Sequence, residues 1–498
     1  MPKEAATYPL TLPPRDPATP AYLWLCGAIR TEILEGRLHP GARLPATRDL
    51  ARQYGLSRGT IIAGFEQLKS EGYVKGSVGS GTYVNSVLPE ELLHVMRGGR
   101  EGAATDRHPK RRVSGYARRV DAFPTTSGEN RVRAFRTNEP ALELFPATLW
   151  AQVAARRLRR TSTELLRGCE AMGYLPLREA VADYLGASRG VQCTPGQIAI
   201  VSGVQQALDL TARLVLDSGK RVCMEDPGYA GAARAFESVG ARISTVRVDA
   251  EGMRIPGQRL RGARLVYVTP AHQFPLGITM TLPRRLELLE WARRWGALIF
   301  EDDYDGEYRY SGRPIPALQG LDRHGVVLFA GSFSKVLFPS LRMGYLVIPP
   351  DLVDRFAATQ SVTNRHAPLL DQAVLCDFIV DGHFGRHLRR MREVYAERLS
   401  VLMEGTRQRL AGLLELTGAE AGLQAAGWLA DGLDDELAAR AAALRHVEVT
   451  PLSRFSRRRV ARQGLQLGFA AVDTREIRRG VHDLAIALNS LASARRPS

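Results

Sequence analysis

Cysteine is scarce in this chain, since only 5 of its 498 residues are cysteines. No two of them form a C-x-x-C pair, and they lie far apart, at Cys26, Cys169, Cys193, Cys223 and Cys376. Disulfide frameworks and thiolate zinc sites need more cysteines or closely paired ones. We therefore predict reduced, buried thiols, with neither a disulfide framework nor a metal site.

Long apolar segments are also missing. The first residues, MPKEAATYPLTLPPRD, contain no apolar core of the kind found in signal peptides. No uninterrupted run approaches the roughly 18 to 20 apolar residues that span a bilayer. The sequence thus predicts a cytoplasmic protein without membrane contact.

Acidic residues are outnumbered by basic ones. The chain has 68 Lys and Arg against 52 Asp and Glu, a formal net charge of +16. Such a surplus favours a phosphate-rich partner, and nucleic acid is the first candidate. The alternative is compositional, because the chain as a whole is rich in Ala, Arg, Gly and Leu.

Composition and pattern divide the chain into five segments. Residues 1–20 are rich in proline and lack a hydrophobic pattern, so we predict an N-terminal tail. Residues 21–86 predict a small helical module that ends in a hairpin. Residues 87–130 combine many basic residues with Gly, Ser and Pro, which is typical of a flexible linker. We predict a large domain over 131–375 and a smaller C-terminal lobe over 376–498.

Beyond the linker, helical stretches alternate with short β-rich runs. Apolar residues at helical spacing predict helices at 176–186 and 203–216. Strands are predicted at 221–224, 242–248, 265–269, 297–301, 326–330 and 344–348. This alternation favours an α/β domain with a largely parallel sheet, whose ligand sites lie beyond the carboxyl ends of the strands. The second lobe is predicted to be α+β, with amphipathic helices at 383–404, 434–444 and 474–491.

The N-terminal module has the pattern of a helix-turn-helix followed by a wing. Gly55 tolerates the left-handed turn between two short helices, and the Ser57 hydroxyl can cap the second helix. The buried stripe of that helix is predicted to consist of Ile61, Ile62, Phe65 and Leu68. A strand, a glycine turn and a second strand are predicted at Tyr73–Lys75, Val78–Gly81 and Thr82–Val84.

The pattern leaves Arg58 and Thr60 exposed at a helix N-terminus, where a recognition helix meets base edges and phosphates. A small α/β fragment with ordinary surface arginines is the alternative. The run LPATRDLARQYGLSRGTIIAGFEQLKSEGYVKGSVGSGTYV, however, closely resembles the GntR family of winged-helix repressors along essentially the whole module. The resemblance implies contacts with double-stranded DNA from Arg43, Arg48, Ser57, Arg58, Thr60 and Gly81. Gly59 departs from the polar residue that is more usual at its position.

The strongest chemical signal is Gly331-Ser332-Phe333-Ser334-Lys335, directly after the apolar run 326–330 and upstream of Arg342. A lone lysine is usually a solvated surface charge. A lysine at the end of a buried strand, beside two hydroxyls and a guanidinium, suits an aldehyde cofactor that carries a phosphate. The amine forms a Schiff base, while the hydroxyls and the guanidinium bind the phosphate.

A second predicted strand leads into Asp302 and Tyr304. A carboxylate against a pyridine nitrogen keeps that nitrogen protonated and makes the ring an electron sink, and the tyrosine can hydrogen-bond the phenolic oxygen of the ring. The alternatives are a solvated acidic loop and a divalent-cation site, because five acids cluster here: Glu301, Asp302, Asp303, Asp305 and Glu307. A cation site of this kind would be accompanied by a loop that binds nucleotide phosphates, and no other segment of the chain has the pattern of such a loop.

Two further segments follow predicted strands of the same sheet. Ser202–Gln206 opens a helix, which places free backbone N–H groups where a phosphate can bind. Tyr229 follows another strand and offers an aromatic plane to a pyridine ring. Each signal is weak alone. Together, at the carboxyl ends of strands in α/β order, they are specific.

With these residues, the segment 131–490 resembles a fold-type I aminotransferase, and the whole chain resembles the MocR subfamily of GntR regulators. The resemblance implies a pyridoxal 5'-phosphate (PLP) cofactor in a Schiff base with Lys335. It also implies a homodimer, arranged head to tail, in which the DNA-binding head of one chain lies over the large domain of the other. Further PLP contacts are implied for Asp302, Tyr304, Tyr229, Ser332, Ser334, Arg342, Gly203, Val204, Gln205, His272 and Gln273. The last two occupy the segment where aminotransferases place an Asn-Pro loop beside the ring.

Two positions depart from the pattern of an enzyme. Gln466 stands where aminotransferases carry the arginine that anchors the substrate carboxylate, and a neutral amide forfeits that bidentate, charge-assisted contact. The arginines of the run 454–462 lie just upstream, and we interpret them as a solvated basic loop. Gly231 stands where GABA-responsive members of the subfamily carry an arginine.

A retained lysine site without a carboxylate anchor favours the PLP-responsive, PdxR-type members of the subfamily. The resemblance then implies a transcription regulator that senses PLP through Lys335 and controls genes of vitamin B6 metabolism. Two alternatives are a functional PLP-dependent aminotransferase and a regulator that responds to an amino acid or an amine. We expect transaminase activity to be weak or absent.

Overall fold

The computed structural model describes residues 10, 12–16, 19–77, 81–86, 112–120, 132–310, 316–416, 418, 420–458, 460 and 462–493. The chain divides into two compact units, residues 1–112 and 113–498. The predicted glycine turn of the wing at 78–80 and most of the predicted linker lie outside the described residues.

The N-terminal unit is a three-helix module with a two-stranded wing. Its elements are α1 Ala21–Leu34, α2 Thr47–Tyr54, α3 Arg58–Ser70, β1 Val74–Ser77 and β2 Gly81–Val84. The strands pair antiparallel, with Val74 opposite Val84 and Ser77 opposite Gly81. Leu25, Ile29, Ile61 and Leu68 lie at the centre of its own hydrophobic core. The predicted fold of this module is therefore confirmed.

The turn between α2 and α3 has the predicted chemistry. Gly55 ends α2 in the left-handed conformation, with φ 63°, and the Ser57 Oγ accepts a hydrogen bond from the Thr60 N–H at 3.1 Å. The prediction for Ile62 was wrong, because 44 % of this side chain is exposed. Only one of two adjacent helical residues can face a narrow apolar stripe, and Ile61 takes that place.

Part of the predicted tail contributes to this unit. Leu10 and Leu12 are buried in its core. The Tyr54 hydroxyl donates a hydrogen bond to the Leu10 carbonyl at 2.5 Å and accepts one from the Leu12 N–H at 3.0 Å. Apolar side chains spaced two apart, between prolines, were too weak a signal to predict this docking.

The described part of the predicted flexible linker contains a short helix, α4 Gly115–Val120. The Arg119 Nε donates to the Ser238 carbonyl at 2.8 Å, and the Arg213 guanidinium lies 5.5 Å from the centre of the Tyr116 ring. This helix is ordered by contacts with residues far along the chain, which linker composition does not predict.

The large lobe of the second unit is an α/β layered structure. Its helices are α5 Ala147–Arg159, α6 Thr163–Arg167, α7 Leu175–Arg189, α8 Val204–Val215, α9 Ala230–Ser238, α10 Leu282–Trp295, α11 Phe333–Val336, α12 Val353–Thr363 and α13 Leu369–Val380. Its strands are β3 Ile198–Val201, β4 Arg221–Asp226, β5 Arg242–Asp249, β6 Gly252–Met253, β7 Ala263–Val268, β8 Leu298–Asp303, β9 Val327–Ser332 and β10 Gly344–Val347.

These strands form one eight-stranded sheet in the order β3-β10-β9-β8-β7-β4-β5-β6. The pairs β5·β4, β4·β7, β7·β8 and β8·β9 are parallel. β10 runs antiparallel to both of its neighbours. The predicted, largely parallel sheet is confirmed, and the carboxyl ends of β4, β7, β8 and β9 lie at one edge.

The small lobe packs helices against a second, antiparallel sheet. It contains α14 His383–Arg409, β11 Leu414–Leu416, β12 Gln424–Leu429, α15 Asp435–Ala443, β13 Thr450–Pro451, β14 Gly464–Gly468 and α16 Thr474–Ser493. The strand order is β11-β12-β14-β13. The predicted α+β character of this lobe is confirmed. Among the described residues, no helix is both long and apolar enough to cross a membrane.

Candidate functional site

A cavity of about 330 Å³ lies at the carboxyl edge of the large sheet. Its lining consists of Asn138, Gly203, Val204, Gln205, Tyr229, Tyr267, Phe274, Asp302, Tyr304, Ser332, Ser334, Lys335, Pro339 and Arg342. A larger cavity, of about 630 Å³, lies beside Trp428 in the small lobe, and no lysine lines it. The chemistry of the smaller cavity, and not its size, makes it the candidate site.

Lys335 reaches this cavity from α11, directly after the buried strand β9. Its Nζ donates a hydrogen bond to the Asn138 carbonyl at 2.8 Å. Burial lowers the pKa of Lys335 to about 8, although the nearby carboxylates of Asp305 and Asp302 oppose this shift. The amine therefore carries a larger neutral, nucleophilic fraction near neutral pH than an ordinary lysine does.

Asp302 is buried at the end of β8, and its two oxygens differ. Oδ2 accepts a hydrogen bond from the Tyr267 hydroxyl at 2.7 Å, whereas Oδ1 is buried and has no partner. Burial raises the pKa of Asp302 to about 7, and the Tyr267 hydrogen bond opposes that increase. An unpaired, buried carboxylate oxygen in a cavity wall is costly unless a ligand pairs with it.

Hydroxyl, guanidinium and backbone donors meet at the N-terminus of α8. Gly203 precedes this helix with φ 92°, and a Cβ built there would lie 3.7 Å from the Arg342 Nη2. The same nitrogen donates to the Ser202 carbonyl at 3.3 Å. Ser332 and Ser334 line the cavity beside Arg342. A helix N-terminus next to a guanidinium and two hydroxyls is a binding site for a phosphate group.

Tyr229 is held in the cavity wall through Gln205. Its hydroxyl donates to the Gln205 Oε1 at 3.3 Å, and the Gln205 Nε2 donates to the Gly231 carbonyl at 3.1 Å. A Cβ at position 231 would overlap the Tyr229 ring. The glycine at 231 therefore has a physical reason, since any side chain there would displace the tyrosine.

Two predicted cofactor contacts lie behind the wall and not in it. His272 hydrogen-bonds with Asp305 and Tyr304, and the Gln273 Nε2 donates to the Pro227 carbonyl at 2.9 Å. Phe274, the next residue, lines the cavity in their place. Among the described residues, the loop contributes Phe274 to the lining, while His272 and Gln273 support it from behind, and their direct contact with a cofactor stays a prediction.

The acidic cluster does not converge on one point. Glu301 accepts from the backbone N–H groups of Leu318 and Gln319, and Asp303 forms a buried ion pair with Arg189 at 2.6 Å. Asp302 and Asp305 have the separate partners described above. Among the described residues, no group of three or more His, Cys, Asp or Glu side chains is placed to hold a metal ion.

Four residues of the lining were missed by sequence reasoning: Asn138, Tyr267, Phe274 and Pro339. For Tyr267, the available signal was a tyrosine in the otherwise aliphatic run 265–268 of β7. This strand lies beside β8, which ends with Asp302 and Asp303. Asn138 gave no signal, because it lies 197 residues from Lys335 in the chain.

The two proposed departures from an enzyme occupy defined places. Gln466 is fully buried in β14, and its Nε2 lies 3.4 Å from the Pro275 carbonyl, next to the cavity wall.

The interpretation of the run 454–462 as a solvated loop was partly wrong. The Arg457 N–H donates to Asp226 at 3.0 Å, and Arg458 donates to Thr245 at 2.8 Å, so this loop docks on the large lobe.

In the N-terminal unit, the predicted DNA contacts are grouped around α3 and the wing. Arg43 pairs with Tyr83 in an isolated bridge beside β2, and a Cβ at Gly81 would lie 2.9 Å from the Arg43 Nε. Arg48, Ser57 and Arg58 are exposed, and Thr60 is half-buried. These side chains and the wing are compatible with one binding surface for a phosphate backbone.

Comparison with known proteins identifies both units. Residues 22–84 match the family model of the bacterial regulatory proteins of the gntR family, and residues 134–484 match that of aminotransferase class I and II. The chain is 40 % identical over 480 residues to the probable rhizopine catabolism regulatory protein MocR of Rhizobium meliloti, with 96 % of each chain covered. This chain belongs to the MocR subfamily of GntR-type transcription regulators.

Other relatives of this MocR-type regulator point the same way. The pyridoxine biosynthesis transcriptional regulator PdxR of Corynebacterium glutamicum is 29 % identical, with 95 % of this chain and 97 % of that protein covered. A crystal structure of the α-aminoadipate aminotransferase LysN from Thermus thermophilus, complexed with N-(5'-phosphopyridoxyl)-L-leucine, has a TM-score of 0.67 and 32 % identity. The match covers 72 % of this chain and 92 % of the chain of that enzyme.

The cavity of this MocR-type regulator fits PLP. The buried amine of Lys335 suits the aldehyde, the unpaired Oδ1 of Asp302 suits the pyridinium nitrogen, and the donors around Arg342 suit the phosphate. PLP, when bound, supplies an aldehyde that reacts with amines and a ring that withdraws electrons. The protein is a PLP-binding transcription regulator with a DNA-binding module of the GntR type.

Proposed function

We propose that this regulator senses PLP itself, through Lys335, and controls genes of vitamin B6 metabolism. One observation carries the proposal: among the described residues that line the cavity, most of the predicted cofactor contacts are present, but no second guanidinium is available for a substrate carboxylate. Among the described lining residues, Arg342 is the only guanidinium, and it belongs to the phosphate end. Gln466 and Gly231 supply no charge. The name of PdxR, a pyridoxine biosynthesis regulator, supports this assignment of the target genes.

The proposed roles of the residues follow from their positions. Lys335 binds the aldehyde, Asp302 holds a proton at the ring nitrogen, and Tyr229 and Tyr304 contact the ring. Donors for the phosphate are Ser332, Ser334, Arg342 and the backbone of Gly203, Val204 and Gln205. On the DNA, Arg43, Arg48, Ser57, Arg58 and Thr60 contact bases or phosphates, and Gly81 lets the wing approach the minor groove.

We further propose a homodimer with head-to-tail exchange of the DNA-binding units, bound to paired half-sites. PLP binds one conformation of the dimer more tightly, and that conformation differs in its affinity for DNA. PLP and DNA then change each other's binding by the same coupling free energy. Sedimentation equilibrium of the full chain, with and without PLP, checks the oligomeric state. A monomer that still binds the complete operator would contradict this part of the proposal.

A second candidate effector is an amine or amino acid that binds together with PLP. Its support is the 40 % identity, over nearly the whole chain, to a protein named as a rhizopine catabolism regulator. If this candidate holds, DNA affinity changes only when PLP and the amine are both present. Steady turnover of an amino acid with a keto acid would instead establish a working aminotransferase.

The lysine assignment is tested by visible spectroscopy. We expect the full-length protein reconstituted with PLP to show a visible band that Lys335→Ala abolishes. The matched control is Lys220→Ala, which removes an exposed lysine and should leave the band intact. A band that survives in Lys335→Ala would refute the attachment.

The assignment of the DNA-binding residues is tested by titrating the protein into the intergenic DNA upstream of the proposed target genes, with and without PLP. We expect Arg58→Ala to weaken binding about tenfold or more, as for a lost contact to a base or phosphate. Arg37→Ala is the matched control, because Arg37 pairs with Glu32 at 2.7 Å on the same module. PLP sensing is excluded if the affinity of the wild type is unchanged by PLP.

A further inference from the structure

Behind the Tyr304 hydroxyl lies a buried group of polar side chains that does not line the cavity. The hydroxyl is 3.0 Å from the His272 Nδ1, and this nitrogen is 3.0 and 3.1 Å from the two oxygens of Asp305. Only 4 % of His272 and 1 % of Asp305 are exposed. The Nε2 of His272 is also buried and has no partner.

The hydrogen-bond partners assign the proton on this imidazole. Asp305 Oδ2 also accepts from the Leu423 N–H at 3.3 Å, so Asp305 acts as an acceptor on two sides. An acceptor carboxylate requires the His272 Nδ1 to carry the hydrogen, which is therefore directed between Asp305 and the Tyr304 oxygen.

The Tyr304 oxygen has a second neighbour. The Gln424 side chain opposes the rise in the pKa of Tyr304 that burial causes, and its Oε1 accepts a hydrogen bond from the Asn138 N–H at 3.0 Å. Because the His272 Nδ1 carries a hydrogen, it cannot accept one from the Tyr304 hydroxyl, whose own proton is left for an acceptor in the cavity.

The backbone leaves room for the imidazole. A Cβ at Gly422 would overlap the ring, and one at Gly277 would lie 3.1 Å from its Nε2. Both glycines have positive φ, 84° and 76°. Gly422, Leu423 and Gln424 belong to the small lobe, whereas His272 and Asp305 belong to the large lobe.

We propose that His272 and Asp305 are positioning residues that, with the small-lobe segment 422–424, orient the Tyr304 hydroxyl as a hydrogen-bond donor to the ring oxygen of PLP. The affinity for PLP then depends on the small lobe being in place. The same segment is connected to Lys335, because the Lys335 Nζ donates to the Asn138 carbonyl and the Gln424 Oε1 accepts from the Asn138 N–H. This inference rests on the proposed contact between Tyr304 and PLP.

The test compares two substitutions in the full-length protein reconstituted with PLP. His272→Phe keeps a ring without nitrogen, and His272→Asn keeps an N–H group near the place of Nδ1. We expect His272→Phe to raise the Kd for PLP about 5- to 10-fold, as for a lost hydrogen bond, and to shift the visible absorption maximum. His272→Asn should retain the wild-type maximum and most of the affinity. Equal impairment of both variants would overturn the positioning role.

A double-mutant cycle with Tyr304→Phe provides the second measurement. If His272 acts through the Tyr304 hydroxyl, His272→Phe has no further effect on the Kd in the Tyr304→Phe background. Additive effects would overturn the proposal, and so would a His272→Phe variant with wild-type affinity and spectrum. A wild type without any Lys335-dependent band would instead refute the proposed function, and this inference with it.

Discussion

At the scale of single residues, the ionisable groups of the cavity are displaced from their ordinary titration ranges. Burial lowers the pKa of Lys335 to about 8 and raises that of Asp302 to about 7. Glu225, buried near Asp302 with one oxygen bonded to Thr269, is raised to about 7 by the same cause. A low-dielectric cavity that holds both a lysine and carboxylates favours the neutral forms of each.

The uptake of PLP should depend on pH through Lys335. Only the neutral amine attacks an aldehyde, and at a pKa of about 8 roughly one tenth of the lysine is neutral at pH 7. The rate should therefore rise about tenfold per pH unit below pH 8 and level off above it. Stopped-flow absorbance of the apoprotein mixed with PLP measures this rate. A profile still rising steeply at pH 10, as for an ordinary lysine, would contradict the depressed pKa.

Gly231 should be required for the position of Tyr229. A methyl group at 231 would overlap the tyrosine ring, so Gly231→Ala should displace it and raise the Kd for PLP, while the free energy of unfolding of the apoprotein changes little. Gly262→Ala is the control, because a Cβ there meets nothing within 4 Å. Fluorescence titration with PLP compares the variants, and an unchanged Kd for Gly231→Ala would speak against this role.

At the scale of secondary-structure elements, helix N-termini do two different jobs in this protein. The start of α8, after Gly203, offers N–H groups to the cavity, whereas at the start of α3 the Thr60 N–H is already bonded to the Ser57 side chain. The difference follows from the residue before each helix. A serine side chain occupies one of the free N–H groups, and a glycine leaves all of them to a ligand.

The cap of α3 should matter for both stability and DNA binding. Ser57→Ala removes the acceptor for the Thr60 N–H and should destabilise the N-terminal unit by about 1 kcal/mol. It should also weaken DNA binding, because the first turn of α3 carries Arg58 and Thr60. Ser57→Asp restores a cap but adds a negative charge next to phosphates. We expect it to recover thermal stability without recovering affinity, and recovery of both would place Ser57 outside the interface.

At the scale of the whole molecule, the two units have separate hydrophobic cores. The proposed PLP contacts all lie in the second unit. A ligand that binds the folded form stabilises it by about 2.7 kcal/mol at a concentration of 100 times its Kd. We therefore expect calorimetry to resolve two unfolding transitions, of which PLP raises only the one with the larger enthalpy. A single transition that shifts as a whole would show that the units unfold together.

A large part of the fold and of the candidate site could be predicted from the sequence alone. The winged helix-turn-helix, most strands of the large sheet and the cavity-lining residues Lys335, Asp302, Tyr304, Tyr229 and Arg342 were predictable. Each is marked by a short local pattern, such as a cap, an apolar run or a polar residue at the end of a strand. Such patterns involve only a few neighbouring residues, so they can be recognised without knowing how distant parts of the chain pack.

Tertiary structure alone decided which distant residues meet. Asn138 reaches Lys335, and Tyr267 reaches Asp302, only because the sheet order and the packing of the two lobes bring them together. The same packing turns Phe274 into the cavity and leaves His272 behind Tyr304. These contacts join segments that are far apart in the chain, and no local pattern of residues specifies them.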